Sequence, residues 1–556
     1  MSLIFTALIP GLAALLAWPL GRAMTWAMAP GEKAGPWRQG AERLFEKIAG
    51  PAGVPMQTWK GYTLSLIFFN AVMFIVGFML LALQQLLPLN PDGKGPLAPS
   101  LIFNTVASFV TNTNLQHYSG EVSMSYLSQL LGLMWLQFVS AATGIAALSA
   151  LARGLAGSTL LGNFYRDLMR AAFLVLLPLA AVEAVVLVLG GVPMTFQGAA
   201  VVKTLEGAVQ TIARGPVAAF VAIKQLGTNG GGFFGPNSAH PFENPSFFTN
   251  LVECVSILLI PMASVWMFGR IAGRLRHAAV IFAVMGLLLI ASLGLAVHFE
   301  SAPAAALAGL PVQAAGNLEG KELRFGPVAA PVWGTLTTAT SNGSTNSMLD
   351  SFNPLTGLIA LIGMWLNVTF GGVGVGLINM FLFIIVGVFI CGMMVGRTPE
   401  YLNRKVETRE MKFALLALLA HPLLILSGTA LFAATAWGAA TVHNTGPHGF
   451  SEILYEFTSA AANNGSDLAG LGNNTVPWNV ATGMVMLLAR FVPIIFPLAI
   501  AGSLAAKKPA PETVGTLRTD TLLFGVVILG SVVLIGALLF LPAAVLGPIA
   551  EQLSVR

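Results

Sequence analysis

Ten apolar runs, each about 20 residues or longer, recur along this sequence of 556 residues. A helix needs about 20 consecutive apolar residues to cross a bilayer, whereas the strands of a membrane barrel alternate over only about 10 residues. Charged residues make up 9% of the chain, against about 25% in soluble proteins. We therefore expect an all-α integral membrane protein with about ten transmembrane helices. The runs cover residues 2–22, 62–86, 127–151, 171–190, 248–269, 278–298, 354–395, 413–438, 479–504 and 520–546.

The basic residues are distributed unevenly between the segments that separate these runs. If the N-terminus lies outside the cell, 20 of the 28 Lys and Arg residues fall in segments that face the cytoplasm and seven fall on the other side. Cytoplasmic loops are enriched in Lys and Arg, so the sequence predicts that both termini are periplasmic. Residues 1–22 lack a basic leader and a small-residue cleavage site, which indicates a retained N-terminal anchor helix. Because the basic residues are scattered, we expect no nucleic-acid partner.

Four long external segments each contain a short apolar stretch that ends in a polar turn. The turns are turn 1 (111–114, Thr-Asn-Thr-Asn), turn 2 (228–231, Thr-Asn-Gly-Gly), turn 3 (341–344, Ser-Asn-Gly-Ser) and turn 4 (463–466, Asn-Asn-Gly-Ser). Aligned in this way, the second residue is always Asn, and the third is Gly except for Thr113. The aligned asparagines are 117, 113 and 122 residues apart, a near-constant spacing that is typical of an internal repeat.

We expect each repeat to consist of a helix, a short re-entrant helix with its turn, and a second helix. Four such helix, pore-loop, helix repeats would surround a central pore. The predicted bounds are 1–22 for the N-terminal anchor helix, 62–151, 171–269, 278–395 and 413–504 for pore repeats 1 to 4, and 520–546 for a C-terminal helix.

The four turns offer neutral oxygen atoms for a cation. Glycine accepts the dihedrals that let consecutive carbonyls point the same way, and rings of carbonyls can replace the hydration shell of an alkali cation. No carboxylate lies within the turns, so we predict potassium rather than a divalent ion. Each loop taken singly could be an ordinary external loop, because Asn-Gly is a common turn pair. The predicted K+ selectivity filter comprises Thr111, Asn112, Thr113, Asn114, Thr228, Asn229, Gly230, Ser341, Asn342, Gly343, Asn463, Asn464 and Gly465.

Five stretches of the sequence carry a resemblance to a known family. They are VTNTNLQ (110–116), GTNGGGFFGPNSAHPFENP (227–245), GGVGVG (371–376), GRTPEYL (396–402) and NNGS (463–466). These stretches resemble the KdpA family, the potassium-binding subunits of Kdp-type potassium-transporting ATPases. The resemblance implies a potassium-channel-like fold, shared with Trk-type uptake systems. It also implies a potassium-binding, non-catalytic transport role in a bacterial inner membrane.

The resemblance further implies partners. The sequence contains no Walker P-loop and no Asp-Lys-Thr-Gly phosphorylation motif, so we expect no nucleotide on this chain and no catalytic residues. ATP hydrolysis would come from a P-type ATPase catalytic subunit (KdpB-like). Two further subunits, one KdpC-like and one small and KdpF-like, would belong to the same complex. The chain would also contact membrane lipid. The alternatives are a stand-alone K+ channel or ion-coupled K+ uptake protein of the same architecture, and a membrane scaffold that transports nothing.

Two polar residues outside the turns are further candidates. Arg490 lies about 17–21 Å from either end of its apolar run, at 1.5 Å per helical residue. A central charge is costly unless it faces a polar interior, so we predict a functional role rather than a structural ion pair. The resemblance implies that this Arg closes the route below the filter and couples transport to the partner. Gln116 follows turn 1, where its amide either helps to bind potassium, as the resemblance implies, or only hydrogen-bonds the loop.

The seventh run, 354–395, is about twice as long as one crossing requires. Its glycines interrupt the run, and such breaks let a helix unwind beside a cavity. We predict a gate segment beneath the filter, formed by Gly371, Gly372, Gly374 and Gly376, with a simple packing kink as the alternative. Asn367 precedes the break at a position where the resemblance implies Glu in most family members, so the sequence leaves open whether this position has a charge-based role.

Overall fold

The computed structural model describes residues 2–29, 35–303, 316–511 and 517–554. Almost all regular structure in this part of the chain is helical, and it begins and ends as follows. The α-helices are α1 (Ser2–Met28), α2 (Pro36–Ala49), α3 (Trp59–Ala82), α4 (Pro99–Val110), α5 (Gly120–Ser123), α6 (Trp135–Ala156), α7 (Phe164–Ala171), α8 (Leu177–Leu189), α9 (Val217–Leu226), α10 (Phe247–Ile271), α11 (Leu275–Glu300), α12 (Ala329–Ala339), α13 (Pro354–Leu366), α14 (Val375–Met394), α15 (Thr408–Ala434), α16 (Ala436–Ala439), α17 (Gly446–Ala462), α18 (Val476–Ala505), α19 (Leu522–Ala544) and α20 (Ala550–Ser554).

Wider π-helical turns extend or join some of these helices. Ser128–Met134 precedes α6, Ala172–Leu176 joins α7 to α8, and Val545–Ile549 joins α19 to α20. Short 3-10 turns lie at Gly50–Gly53, Gln84–Leu86, Asn237–Ala239 and Leu349–Ser351, and two antiparallel hairpins are also present. Strand β1 (Ala200–Lys203) pairs with β2 (Val209–Ile212) between α8 and α9, and β3 (Glu400–Tyr401) pairs with β4 (Arg404–Lys405) between α14 and α15.

Ten of the described helical segments are long and apolar enough to cross a membrane, as predicted. They are Ile4–Met28, Trp59–Ala82, Ser128–Ala156, Phe164–Leu189, Phe247–Ile271, Leu275–Glu300, Val375–Met394, Thr408–Ala434, Val476–Ala505 and Leu522–Ser554. The prediction of a single overlong seventh run needs correction. Its first part is the separate short helix α13, and the helix is already interrupted at Asn367, four residues before the first glycine of the predicted break. Asn367 has a φ of 48°, which no continuing α-helix accommodates.

The spans form an inner and an outer layer. Between 56% and 78% of each inner span, in α6, α10, α14 and α18, is buried inside the protein, against 22–33% of each of the other spans. An apolar span that is exposed on the outside of the protein suits contact with lipid tails. The inner spans belong to the second helix of each predicted repeat, so they surround the centre of the molecule. The predicted repeat over 278–395 includes residues 304–315, which lie outside the described residues.

The first and last spans pack on the outside of this arrangement. Helix α1 packs along α10. The ring centroids of Phe5 and Phe247 are 4.8 Å apart, and Trp18 lies edge-on to Trp266 with 4.7 Å between centroids. Helix α19 contacts α13 through Phe540, whose ring stacks on Trp365 at 5.0 Å. Neither helix contributes residues to the four turns.

Candidate ion-binding site

All four turns begin at the C-terminal end of a short helix buried among the inner spans. These helices are α4, α9, α12 and α17. One main-chain hydrogen bond, from an N–H to the carbonyl five residues earlier, recurs in every turn. Its donors and acceptors are Thr113 and Ser108 (2.9 Å), Asn229 and Lys224 (3.0 Å), Asn342 and Thr337 (2.9 Å), and Asn464 and Ser459 (2.9 Å). The turns are therefore structural equivalents.

This hydrogen bond shifts turn 1 by one residue relative to the alignment predicted from the sequence. Thr113, rather than Asn112, is equivalent to the asparagines of the other turns. The dihedrals agree, because φ is positive at Asn112 (65°) and Asn114 (56°), whereas in turns 2 to 4 it is positive at the first and third residues. The prediction that the second residue is the equivalent Asn in every turn was therefore wrong for turn 1. Asn tolerates left-handed backbone better than most residues, so Asn114 occupies the position that the other turns fill with glycine.

The amide directions determine where the carbonyls point. The described chain contains no cis peptide bond, so each N–H points opposite to the carbonyl of the preceding residue. The next N–H group in every turn also donates to the short helix, to the residue that already accepts the bond given above. These second bonds are Asn114 to Ser108 O, Gly230 to Lys224 O, Gly343 to Thr337 Oγ1 and Gly465 to Ser459 Oγ. Two consecutive N–H groups in every turn therefore point back at the short helix. Eight carbonyls therefore point away from the short helices, those of Asn112, Thr113, Thr228, Asn229, Ser341, Asn342, Asn463 and Asn464.

The glycines let the turns close into a ring. A Cβ atom on Gly230 would lie 2.0 Å from the carbonyl oxygen of Asn342 in turn 3. In the same way, a Cβ on Gly343 would lie 2.1 Å from Asn464 O in turn 4, and one on Gly465 would lie 2.0 Å from Thr113 O in turn 1. No side chain fits at such distances. Turns 2, 3, 4 and 1 thus abut one another in chain order.

Side-chain amides link the four turns further, including turns 1 and 2. Each bond runs from an asparagine of one turn to the neighbouring turn or to the short helix that precedes that turn. The bonds are Asn112 Nδ2 to Thr228 O (2.8 Å), Asn229 Nδ2 to Asn112 Oδ1 (2.7 Å), Asn342 Nδ2 to Lys224 O (3.3 Å), Asn464 Nδ2 to Thr337 O (2.8 Å) and Asn463 Nδ2 to Thr113 Oγ1 (2.9 Å). Networks of this kind hold their members in fixed positions, so the ring of carbonyls is supported from all sides.

Gln116 uses its amide to hold the loop after turn 2. Its Oε1 accepts from the N–H of Gly232 (2.7 Å), and its Nε2 donates to Gly232 O (3.0 Å) and to the hydroxyl of Tyr118 (3.0 Å). The predicted alternative of a loop-bonding residue describes these contacts. A direct contact with an ion stays a prediction.

The segment 367–374, between α13 and α14, lies directly against turns 2 and 3. The N–H of Gly372 donates to Thr340 O (2.5 Å) and that of Val373 donates to Thr228 Oγ1 (2.9 Å). A Cβ on Gly374 would lie 2.2 Å from the carbonyl of Gly144 in α6. Gly371 and Gly376 meet each other, because a Cβ on Gly376 would lie 1.9 Å from Gly371 O. Of the predicted gate glycines, Gly372 thus lies next to turns 2 and 3 and Gly374 packs on α6, whereas gating itself stays a prediction.

Asn367 links this segment to two turns. Its Oδ1 accepts from Ser341 Oγ (2.6 Å) in turn 3, and its Nδ2 donates to the carbonyl of Ala462 (3.0 Å) just before turn 4. Its own carbonyl accepts from Asn379 Nδ2 (3.3 Å). A carboxylate could not donate the bond to Ala462 O. The amide of Asn367 therefore performs a bridging task that an ionised Glu could not perform.

Arg490 is buried in α18, with 4% of its surface exposed. Its Nη2 donates to the main-chain carbonyl of Ser140 (3.1 Å), and the hydroxyl of Ser140 donates to Asn112 Oδ1 (2.9 Å) in turn 1. Arg490 forms no ion pair with any residue in the described part of the chain. It is instead one of the residues that line a cavity of about 50 Å³, together with Asn112, Asn367 and Asn379. That volume suffices for a few water-sized particles.

A cluster behind turns 1 and 4 was not predicted from the sequence. His117 Nε2 lies 2.9 Å from Glu456 Oε1, and His117 Nδ1 lies 2.7 Å from Asn479 Oδ1. Burial, together with the nearby charge of Glu456, raises the pKa of Asp467 to about 7. The signal in the sequence was that His117 and Asp467 closely follow turns 1 and 4, within a few residues.

A second unpredicted cluster lies behind turn 2. The ammonium group of Lys224 in α9 forms a fully buried ion pair with Glu243 and donates to Ser238 Oγ (2.7 Å). Ser238 Oγ and Gln225 Nε2 both donate to Glu253 Oε2 (2.8 and 2.7 Å). Because Lys224 O accepts the amides of turn 2, this network supports the turn from behind. A Lys within a short apolar helix was the available signal.

The comparisons with known proteins agree with this architecture. A family model described as potassium-transporting ATPase A subunit matches residues 7–553. The chain belongs to this family. A relative from Geobacillus kaustophilus, named potassium-transporting ATPase potassium-binding subunit, is 46% identical over 559 residues, covering 100% of this chain and 99% of the relative. One of the same name from Rhodospirillum centenum is 50% identical over 519 residues, covering 92% and 90%.

A solved structure shows the fold class of this family member. The potassium transporter TrkH from Vibrio parahaemolyticus superimposes with a TM-score of 0.53 at 13% sequence identity, covering 89% of this chain and 97% of TrkH. At that identity the likeness concerns the fold alone. With ten apolar spans, the chain is a multi-pass membrane protein of the potassium-channel-like fold, and both predictions are confirmed.

Proposed function

We propose that the four turns form a selectivity filter for K+, and that this chain passes the ion to an ATP-hydrolysing partner for uptake of potassium. The observation that carries the proposal is the ring of structurally equivalent carbonyls, those of Thr113, Asn229, Asn342 and Asn464. They point away from their own helices, and three of these oxygens, those of Thr113, Asn342 and Asn464, lie so close to a glycine of the neighbouring turn that no side chain fits there. Neutral carbonyl rings suit a dehydrated potassium ion.

Below the filter, segment 367–374 and Arg490 act as the barrier in this proposal. The segment fills the space against turns 2 and 3, and the guanidinium adds a positive charge to the adjoining cavity, with no carboxylate paired to it among the described residues. A cation that has left the filter would meet this charge before it could reach the other side of the membrane. Gln116 acts as a positioning residue for the turns.

The ATPase is the partner implied by the family. The proposal includes a P-type catalytic subunit together with two smaller subunits, a bacterial inner membrane with both termini periplasmic, and the four repeat bounds predicted from the sequence. A reporter fused to the C-terminus tests the topology, because cytoplasmic activity of that reporter would contradict it. If ATP hydrolysis in the purified complex does not respond to K+, the stand-alone channel or ion-coupled carrier replaces the pump.

The filter is tested by adding a single methyl group to the ring. Gly343→Ala places a Cβ 2.1 Å from Asn464 O, at a φ of 97°. Gly286→Ala is the matched control, because nothing lies within 4 Å of a Cβ at that position in α11. We expect the K+ concentration for half-maximal ATPase activity to rise at least tenfold in Gly343→Ala, a change of about 1.4 kcal/mol, and to stay unchanged in Gly286→Ala.

Gly230→Asp is the second filter variant, because it adds a charge as well as volume at the ring. We expect discrimination between K+ and Na+ to be lost while the protein still elutes as a single species in detergent. An unchanged K+ dependence of ATPase activity in both filter variants would contradict the filter proposal.

A further inference from the structure

Helix α2 carries an apolar stripe that the described protein leaves mostly exposed. The stripe consists of Trp37, Leu44 and Ile48, whose side chains are 67%, 53% and 59% exposed. Their spacing of seven and four residues places them on one face of the helix. Aromatic and aliphatic side chains aligned in this way are costly to expose to water, so the stripe needs an apolar environment.

The orientation of the stripe is set by contacts on another face of α2. Phe45 and Arg38 are buried there, and Arg38 donates to the carbonyl of Ala27 at the end of α1 (2.5 Å). Glu42 pairs with Arg170 (2.8 Å) and Arg166 (3.0 Å) of α7. These bonds hold α2 against the protein while its stripe points outward.

The depth of α2 follows from its place in the chain. It lies between the end of α1 at Met28 and the start of α3 at Trp59, and both are membrane spans. The chain crosses the membrane in α3 before it reaches α4 and turn 1. Helix α2 therefore lies on the membrane surface opposite to the one from which α4 and its turn begin. Trp37 stacks on Trp26, near the end of α1, with 5.9 Å between ring centroids. Trp side chains concentrate at the boundary between lipid and water, which is the level at which this pair sits.

Basic residues border the stripe. Arg43 and Lys47 precede Leu44 and Ile48 by one residue each, and Lys60 follows at the start of α3. None of the three forms an ion pair with another residue in the described ranges. An apolar face with a basic border is the pattern of helices that lie in the plane of a membrane surface.

We propose that α2 is an interfacial helix. Its stripe enters the boundary between headgroups and acyl chains, and Arg43 and Lys47 bind the phosphate groups of anionic phospholipids. The charge complementarity favours lipid over a protein partner, because basic residues near a membrane surface are attracted to anionic headgroups.

The first test measures where the stripe lies. In a background of Cys254→Ala and Cys391→Ala, single spin labels are attached at Leu44→Cys, Ile48→Cys, Arg43→Cys and Lys47→Cys in the purified complex within phospholipid nanodiscs. Oxygen, which concentrates in lipid, and a water-soluble nickel chelate report the accessibility of each label. We expect the labels at 44 and 48 to lie about 5–10 Å below the phosphates and the labels at 43 and 47 to lie in water. Stripe labels that are protected from both reagents would mean a protein partner, and labels accessible to nickel would mean an aqueous surface, and either result overturns the proposal.

The second test concerns the headgroups. The depth of the label at Ile48→Cys is compared between nanodiscs of phosphatidylcholine alone and nanodiscs containing phosphatidylglycerol. We expect the label to move deeper with phosphatidylglycerol, and this shift to be lost in Arg43→Gln with Lys47→Gln. Lys405→Gln with Lys508→Gln removes the same charge from exposed positions elsewhere and should keep the shift. If the depth of the label is the same with and without phosphatidylglycerol in every variant, the proposed binding of anionic phospholipids by Arg43 and Lys47 is contradicted.

Discussion

Two buried basic residues near the ring of turns differ in their surroundings. Lys224, behind turn 2, is completely buried and pairs with Glu243, with Ser238 and Glu253 completing the network. Arg490, in α18, is 4% exposed and has one hydrogen bond to a main-chain carbonyl. The first charge is neutralised within a scaffold. The second charge lies beside a cavity, and no described carboxylate compensates for it.

This difference indicates a structural role for Lys224 and a role in transport for Arg490. A buried charge normally costs several kcal/mol unless a partner and hydrogen bonds compensate for it. Lys224 meets that condition, so its role is explained by holding the carbonyl that accepts the amides of turn 2. Arg490 does not meet it within the described chain, and such a charge in a membrane span is most simply explained by the ion pathway that it faces.

The largest expected effect is on stability at Lys224. Lys224→Met leaves Glu243 buried without its cation, so we expect a loss of about 3–5 kcal/mol in the free energy of unfolding. Thermal melting of the detergent-purified protein, followed by the fraction that remains monodisperse, measures this loss. The double variant Lys224→Met with Glu243→Gln removes both charges and should recover part of the stability. If Lys224→Met is as stable as the unchanged protein, the structural role of the Lys224 ion pair is contradicted.

At Arg490 the expected effect is on coupling rather than on folding. Arg490→Gln removes one hydrogen bond and leaves no unpaired carboxylate among the described residues, so it should change the free energy of unfolding by no more than about 1.5 kcal/mol. Loss of the charge next to the cavity should lower K+ transported per ATP on the order of tenfold. Transport and ATPase activity are measured together in proteoliposomes. Unaltered coupling would remove the functional role, and a melting temperature as low as that of Lys224→Met would show a structural one.

A third basic group, at the edge of the protein, should have the smallest effect. His448 lies between Asp350 (2.9 Å) and Glu551 (2.8 Å), and hydrogen bonds to these two carboxylates raise its pKa to about 10. A raised pKa in the folded state means that the stabilisation is complete below the unfolded value of about 6.5 and is lost as pH rises towards 10. His448→Gln should cost on the order of 2 kcal/mol at pH 6.

The check for His448 is the difference in melting temperature between the two proteins across pH. That difference should shrink steadily from pH 6.5 to pH 10, because above pH 6.5 the unfolded chain releases the proton that the folded protein still holds on His448, so folding must take up a proton that becomes scarcer as pH rises. A constant difference would mean that the imidazolium contributes nothing at this site.

The sequence predicted features that depend on local pattern. The ten spans follow from runs of apolar residues, and the four turns follow from short polar motifs at the ends of apolar stretches. The register of turn 1 did not follow in this way. The alignment of Asn112 with the asparagines of turns 2 to 4 matches more residue types. However, Asn112 and Asn114 have the left-handed backbone that the first and third residues have in turns 2 to 4. The hydrogen bond from Thr113 to Ser108 and the positive φ angles at Asn112 and Asn114 distinguish the two alignments.

By itself, the sequence determined that this chain crosses a membrane, how often it crosses, and where it leaves helical geometry, because hydropathy and turn chemistry act over a few neighbouring residues. The tertiary structure alone decided that Lys224 has a carboxylate and Arg490 has none within the described chain. It also decided that the three glycines face the carbonyls of the next turn. Those contacts join residues more than one hundred positions apart in most cases, and the packing of the inner spans brings them together.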